Sequence, residues 1–180
     1  GLTGELVAGA SLDWLKLPSY RTTVIDGRSV GIEGHSGFSD QDLGVIRGEL
    51  IRRYVDIFRP RLVLADHTPQ GKHKELVPAL EHSSTRETRW LLGVRSVVGD
   101  VQQTGSDLAV ELFKKYYSGL LWYGDSRVVG TRHKELLGNR FGVKPHECGY
   151  VCRSSEFFKL AGSGEGEKDY DCTVSVPWNG

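Results

Sequence analysis

Residues Arg61–Leu76 read RLVLADHTPQGKHKEL. Leu62–Ala65 is a short continuous apolar run, the pattern of a strand buried on both faces of a parallel sheet. It stops at Asp66-His67, and Thr68-Pro69 follows at once. A threonine hydroxyl can cap a helix, and proline fits the first helical position, where its missing N–H costs nothing. A helix is therefore predicted from Pro69, kinked or divided at Pro78, where one backbone hydrogen bond is lost. Asp66 and His67 then sit at the carboxyl end of a strand beside a helix start, the place where open α/β sheets bind ligands. Lys72-His73-Lys74 would fall in the opening turns, against the macrodipole. Two readings stand. One is a held phosphate or carboxylate; the other is a solvated helix start whose lysines lie along its surface.

Upstream, Ser39–Phe58 is the clearest helix. Ser39 is its N-cap, Asp42 the acid three residues on, and Phe38 with Leu43 has the spacing of a hydrophobic staple. Leu43, Ile46, Leu50, Tyr54, Ile57 and Phe58 make one apolar stripe. Gly44 and Gly48, one turn apart, each cost roughly 1 kcal/mol against alanine, and their expected use is close approach to the sheet. Pro60 ends the helix. Further back, residues 21–38 form a Gly-rich loop with a short strand at Val24–Asp26, and Leu12–Leu17 reads as a strand stopped by Pro18.

Downstream, Arg89–Val94 is a buried strand ending on Arg95. Ser106 caps a helix through Tyr117, with Leu108, Leu112, Phe113 and Tyr116 on one face. Leu120–Tyr123 is a strand ending in Gly124-Asp125-Ser126, Val128–Leu137 a helix, and Glu147–Cys152 a strand. Residues 159–170 are a linker by composition, and Cys172–Val176 is a last strand. Strand centres recur roughly every thirty residues, the size of a βαβ unit. The expected fold is α/β: a Rossmann-like parallel sheet with helices on both faces, built from right-handed crossovers.

Acidic and basic residues number 23 each, so no bulk field recruits nucleic acid or an anionic membrane. The three cysteines, Cys148, Cys152 and Cys172, form no Cys-x-x-Cys pair. They point to a reducing, cytoplasmic setting without a disulfide framework. No metal site is expected, because no His or Cys pair has ligand spacing. No apolar stretch is long enough to cross a bilayer. The absence of methionine and the strand-like ending are read as signs of a fragment.

For chemistry, Asp66 and His67 are the best general-base candidates, since imidazole titrates near neutrality and a carboxylate can fix its tautomer. The alternative is that Asp66 caps the next helix and His67 fills space. Arg95, at a strand end, suits an anion or a sugar hydroxyl, or else a surface ion pair. Asp125 ends a strand too and is also an N-cap candidate. His35 and Ser36 are weaker ligand candidates in the long loop, and Asp100 lies in the loop after Arg95. There is no G-x-S-x-G elbow, Walker A motif or dinucleotide glycine fingerprint, and no cofactor is expected.

Taken together, RPRLVLADHTPQGKHKEL at 59–76, LLGVRS at 91–96, LLWYGDSRV at 120–128 and CGYV at 148–151 resemble a family of bacterial glycosyltransferases. These are relatives of the transferase that adds N-acetylglucosamine to peptidoglycan lipid intermediates. The resemblance runs collinearly through about three-quarters of the chain. It implies a GT-B architecture, two Rossmann-like domains across a cleft, with residues 1–158 as most of the acceptor-side domain. The linker would lead to residues 171–180, the start of the donor-side domain. Catalytic roles would fall to His67 and Asp66. Gly71, Lys72, Glu75, Arg95, Asp125 and Tyr150 would contact the acceptor or anionic groups. The implied partners are a nucleotide-sugar donor and a small-molecule or lipid-linked acceptor, with peripheral membrane contact. Two departures stand out: Ser96 where the family usually has Asp, and Thr68 where it often has an aromatic residue. The rival expectations are a non-catalytic sugar-nucleotide or assembly module and a sugar-nucleotide epimerase.

Overall fold

The computed structural model describes residues 15–25, 28–31, 37–83, 87–96 and 104–150. All belong to one compact unit, Asp13–Val151. The elements in chain order are β1 (Thr22–Ile25), β2 (Arg28–Gly31), α1 (Asp40–Phe58), β3 (Leu62–Asp66), α2 (Val77–Ser83), β4 (Arg89–Arg95), α3 (Asp107–Tyr116), β5 (Tyr117–Tyr123), α4 (Ser126–Val129), α5 (Arg132–Phe141) and β6 (His146–Glu147).

The sheet is the Rossmann-like parallel one expected. Four strands stand in the order β3-β4-β5-β6, every neighbouring pair parallel. Their inward residues Ala65, Trp90, Leu92, Val94, Leu120 and Trp122 form one core with Val55, Ala79, Leu80, Ala109, Phe113, Leu137 and Phe141 of the helices. The strand side chains alternate, so the other face carries Leu62 and Leu64, which remain 54% and 53% exposed. The ladder between β4 and β5 slips at Trp90/Leu91, where Ser118 is the extra residue and donates its hydroxyl to the Trp90 carbonyl.

The region read as a long loop with one strand holds instead an antiparallel hairpin, Thr22↔Gly31 through Ile25↔Arg28. The Asp26-Gly27 dipeptide between two four-residue runs is the sequence signal for it. No strand runs through the described part of 12–17. His35, Ser36, Asp100, the linker and the strand at Cys172–Val176 lie outside the described residues.

Helix α1 begins as expected, with both arms of a capping box: Ser39 Oγ accepts from the Asp42 N–H and the Asp42 carboxylate accepts from the Ser39 N–H. Its buried face is a different one. Leu43, Gly44, Gly48 and Val55 are covered, whereas Leu50, Tyr54, Ile57 and Phe58 of the apolar stripe are exposed. The glycines explain the rotation. Gly44 lies against His73 and Gly48 against Pro78 and Glu75, so the helix backbone approaches the segment 73–78 and α2 rather than the sheet.

The helix expected from Pro69 is absent. Residues 67–76 form a chain of turns, and α2 starts only at Val77. His67, Gly71 and Lys74 have φ of +75°, +76° and +62°, which no right-handed helix admits. Pro78 then falls in the first turn of α2, where proline is tolerated, so there is no kink. Lys72, His73 and Lys74 consequently occupy no helix N-terminus. The expected helix at Val128–Leu137 is two helices, parted at Gly130 with φ +72°. β6 is shorter than the strand expected at Glu147–Cys152 and begins one residue earlier.

Candidate functional site

Strand β3 ends at Asp66, on the carboxyl side of the sheet. The next residue reverses the chain within a single position. The Thr68 N–H donates to the Asp66 carbonyl at 3.0 Å, across a His67 with φ +75°. That is a γ-turn of the strained, positive-φ kind, adopted by a residue that is not glycine. The His67 N–H continues the ladder to the Gly93 carbonyl at 2.8 Å. The turn that follows is pinned from the core, where the Tyr117 hydroxyl donates to the Pro69 carbonyl at 2.8 Å.

Arg95, at the end of β4, donates to the Asp66 carboxylate at 2.9 Å, with the two side chains 61% and 55% exposed. An ion pair so open to water is worth about 0.2–1 kcal/mol. Arg95 is the register partner of Tyr123 on β5. The Tyr123 ring leans back over Gly93, the register partner of Asp66, where any side chain would collide with the phenol. Burial, then the Asp66 and Cys148 charges, push the Tyr123 hydroxyl's pKa upward, with Arg95 opposing. The exposed Cys148 follows β6, its N–H donating to the Trp122 carbonyl at 2.9 Å.

The other expected contact residues have settings of their own. Glu75 is 7% exposed. Its carboxylate accepts from the Tyr20 hydroxyl at 2.6 Å, from Arg47 at 3.0 Å and from the His73 N–H at 3.2 Å. Burial and Glu75 together raise the Tyr20 pKa. This carboxylate ties the turns after β3 to α1 and to Tyr20. Gly71 packs on the Glu75 side chain, and exposed Lys72 lies with its ammonium 5.3 Å from the Tyr20 ring centroid. Asp125 is the N-cap of α4: it accepts from the Arg127 N–H and pairs with the Arg127 guanidinium, which holds its carboxyl at about 2. Tyr150 is exposed beyond β6.

Comparison with known protein families, with curated proteins and with solved structures finds no match. Among the described residues no helix is long and apolar enough to cross a membrane.

The structure thus pairs Asp66 with Arg95 at the strand ends, next to the turn at His67, while Glu75 and Asp125 are engaged in contacts of their own. Tyr123 is the member that sequence reading missed. The signal was available: Gly93 interrupts one hydrophobic run and Tyr123 closes another, and a glycine inside a strand marks a place where another group comes close. Past the end of β5, Ser126 N–H and Oγ both donate to Glu147 at 2.6 Å, and Lys134 pairs with Glu147 at 2.5 Å. Glu147 fastens β6 to the helices and is drawn down to about 2, chiefly by Lys134 and then by Ser126.

Proposed function

We propose that this chain is the acceptor-side half of a glycosyltransferase that moves a sugar from a nucleotide diphosphate sugar to an acceptor hydroxyl. The observation that supports it most is the strained turn at His67, next to a carboxylate at the carboxyl end of a parallel strand. Backbone strain of this kind costs of order 1–3 kcal/mol and persists where the surroundings over-determine it, commonly at functional sites. His67 is the residue to remove the acceptor proton; Asp66, held by Arg95, orients the acceptor. The resemblance carried by the stretches at 59–76, 91–96, 120–128 and 148–151 points the same way.

A second reading, a non-catalytic sugar-binding module, is favoured by one observation: the Asp66 carboxylate is occupied by Arg95. Donor turnover by the full-length polypeptide separates the two. The expected outcome is turnover that falls by two orders of magnitude or more, about 10²–10⁴-fold, in His67→Ala. A rate unchanged in that variant removes His67 from the mechanism, and no turnover with any nucleotide sugar leaves the binding module.

A further inference from the structure

The side of the sheet that bears Leu62 and Leu64 has its own order. Parallel register sets Leu64 beside Leu91 and Gly119; one step nearer the carboxyl end Asp66 stands beside Gly93, Leu121 and His146; above them Arg95 stands beside Tyr123. Leucines therefore lie directly below a polar rim. The Tyr123 ring crosses the gap that Gly93 leaves and brings its hydroxyl over the register partner of Asp66. Cys148, next after β6, is near enough for its charge to bear on that hydroxyl.

We infer that this rim is a binding site for the ring of an uncharged pyranose, held by Asp66, Arg95 and Tyr123 over Leu64 and Leu91. The charges decide the ligand class. Arg95 and Asp66 cancel each other within one hydrogen-bonded pair, so the rim has no net pull on an anion. What it offers is a carboxylate that accepts, a guanidinium that donates and a phenol that does both. Vicinal hydroxyls match that set, and the leucines match the C–H face of a sugar ring. The inference names the acceptor of the proposed transferase and to that extent rests on that reading.

The thiol of Cys148 reports on the site. The full chain is alkylated with iodoacetamide and labelling at Cys148 is followed by mass spectrometry. The probes are methyl glucopyranoside, methyl N-acetylglucosaminide and glucuronate. The neutral glycosides are expected to slow alkylation of Cys148, and Tyr123→Phe, which keeps the ring over Gly93, to raise the protecting concentration about tenfold. Gly93→Ala, which displaces the ring, is expected to abolish protection. Three results overturn the inference: no protection by either glycoside, protection unchanged in Tyr123→Phe, or glucuronate protecting better than the neutral sugars. Protection without donor turnover would leave the site standing and remove the transferase reading. Turnover to a glycoside without protection would do the reverse.

Discussion

At the scale of single residues, two side chains in the turns after β3 bear opposite relations to stability. His67 holds a positive φ that glycine adopts freely. His67→Gly is expected to raise the unfolding free energy by about 1 kcal/mol, less what its added freedom in the unfolded chain gives back. Chemical denaturation measures this, and a loss of stability would show that the imidazole contributes more than its backbone costs. Glu75 is the reverse case. Its carboxylate accepts from Tyr20, Arg47 and the His73 amide together. In Glu75→Gln the mostly buried Arg47 keeps its charge and loses its counter-charge. A cost of about 3 kcal/mol is expected, read as a lowered thermal midpoint; a midpoint unchanged within a degree would mean that water replaces the carboxylate there.

At the scale of elements, α1 shows what sequence could and could not tell. Its start was legible because Ser39 and Asp42 form a local capping box whose two bonds need nothing beyond four residues. Its packing was not. An apolar stripe counts hydrophobic residues, whereas here close approach of the backbone outweighs them, and Gly44 and Gly48 choose the buried face. A methyl group at Gly44 would stand 2.9 Å from His73 Cβ and 3.0 Å from its carbonyl oxygen; at Gly48 it would stand 3.2 Å from Pro78 Cγ. Helix propensity favours alanine by roughly 1 kcal/mol at either site, while overpacking costs about 1–3. Gly44→Ala is therefore expected to destabilise by about 1 kcal/mol and Gly48→Ala to be nearly neutral. Urea melts of both variants check the order, and equal midpoints would refute it. The failed helix at Pro69 has a comparable cause. Thr68-Pro69 is a sound local signal, but the bond from Tyr117 to Pro69 and the tether at Glu75 are long-range contacts that no window of sequence displays.

At the scale of the whole molecule, the parallel sheet was legible because apolar runs recur at the spacing of βαβ units. The site was legible in part: strand ends located Asp66, His67 and Arg95, but Tyr123 joins them only through the pairing of β4 with β5. The closing strand is sensitive to acid. Glu147 titrates near 2 in the fold, below the ordinary carboxylate range, so its contribution is fully present above about pH 5 and disappears as pH falls towards 2. The melting temperature of wild type should exceed that of Glu147→Gln at neutral pH, and the two should converge in acid. A gap independent of pH would mean that the glutamate acts by shape and not by charge.

The junction of α3 with β5 has a consequence for how this chain can vary. The helix ends at Tyr116 and the strand begins at Tyr117, with no connecting residue between them. Tyr117 stacks on Phe113 behind it and holds Pro69 ahead of it. The bulge at Ser118 already takes up one extra residue just past this seam; a further one would turn every later side chain of β5 to the opposite face and carry Tyr123 away from Asp66. Length changes should be rejected at that seam and accepted at the exposed Gly130, so the distance from the core to the rim is fixed by a count of residues.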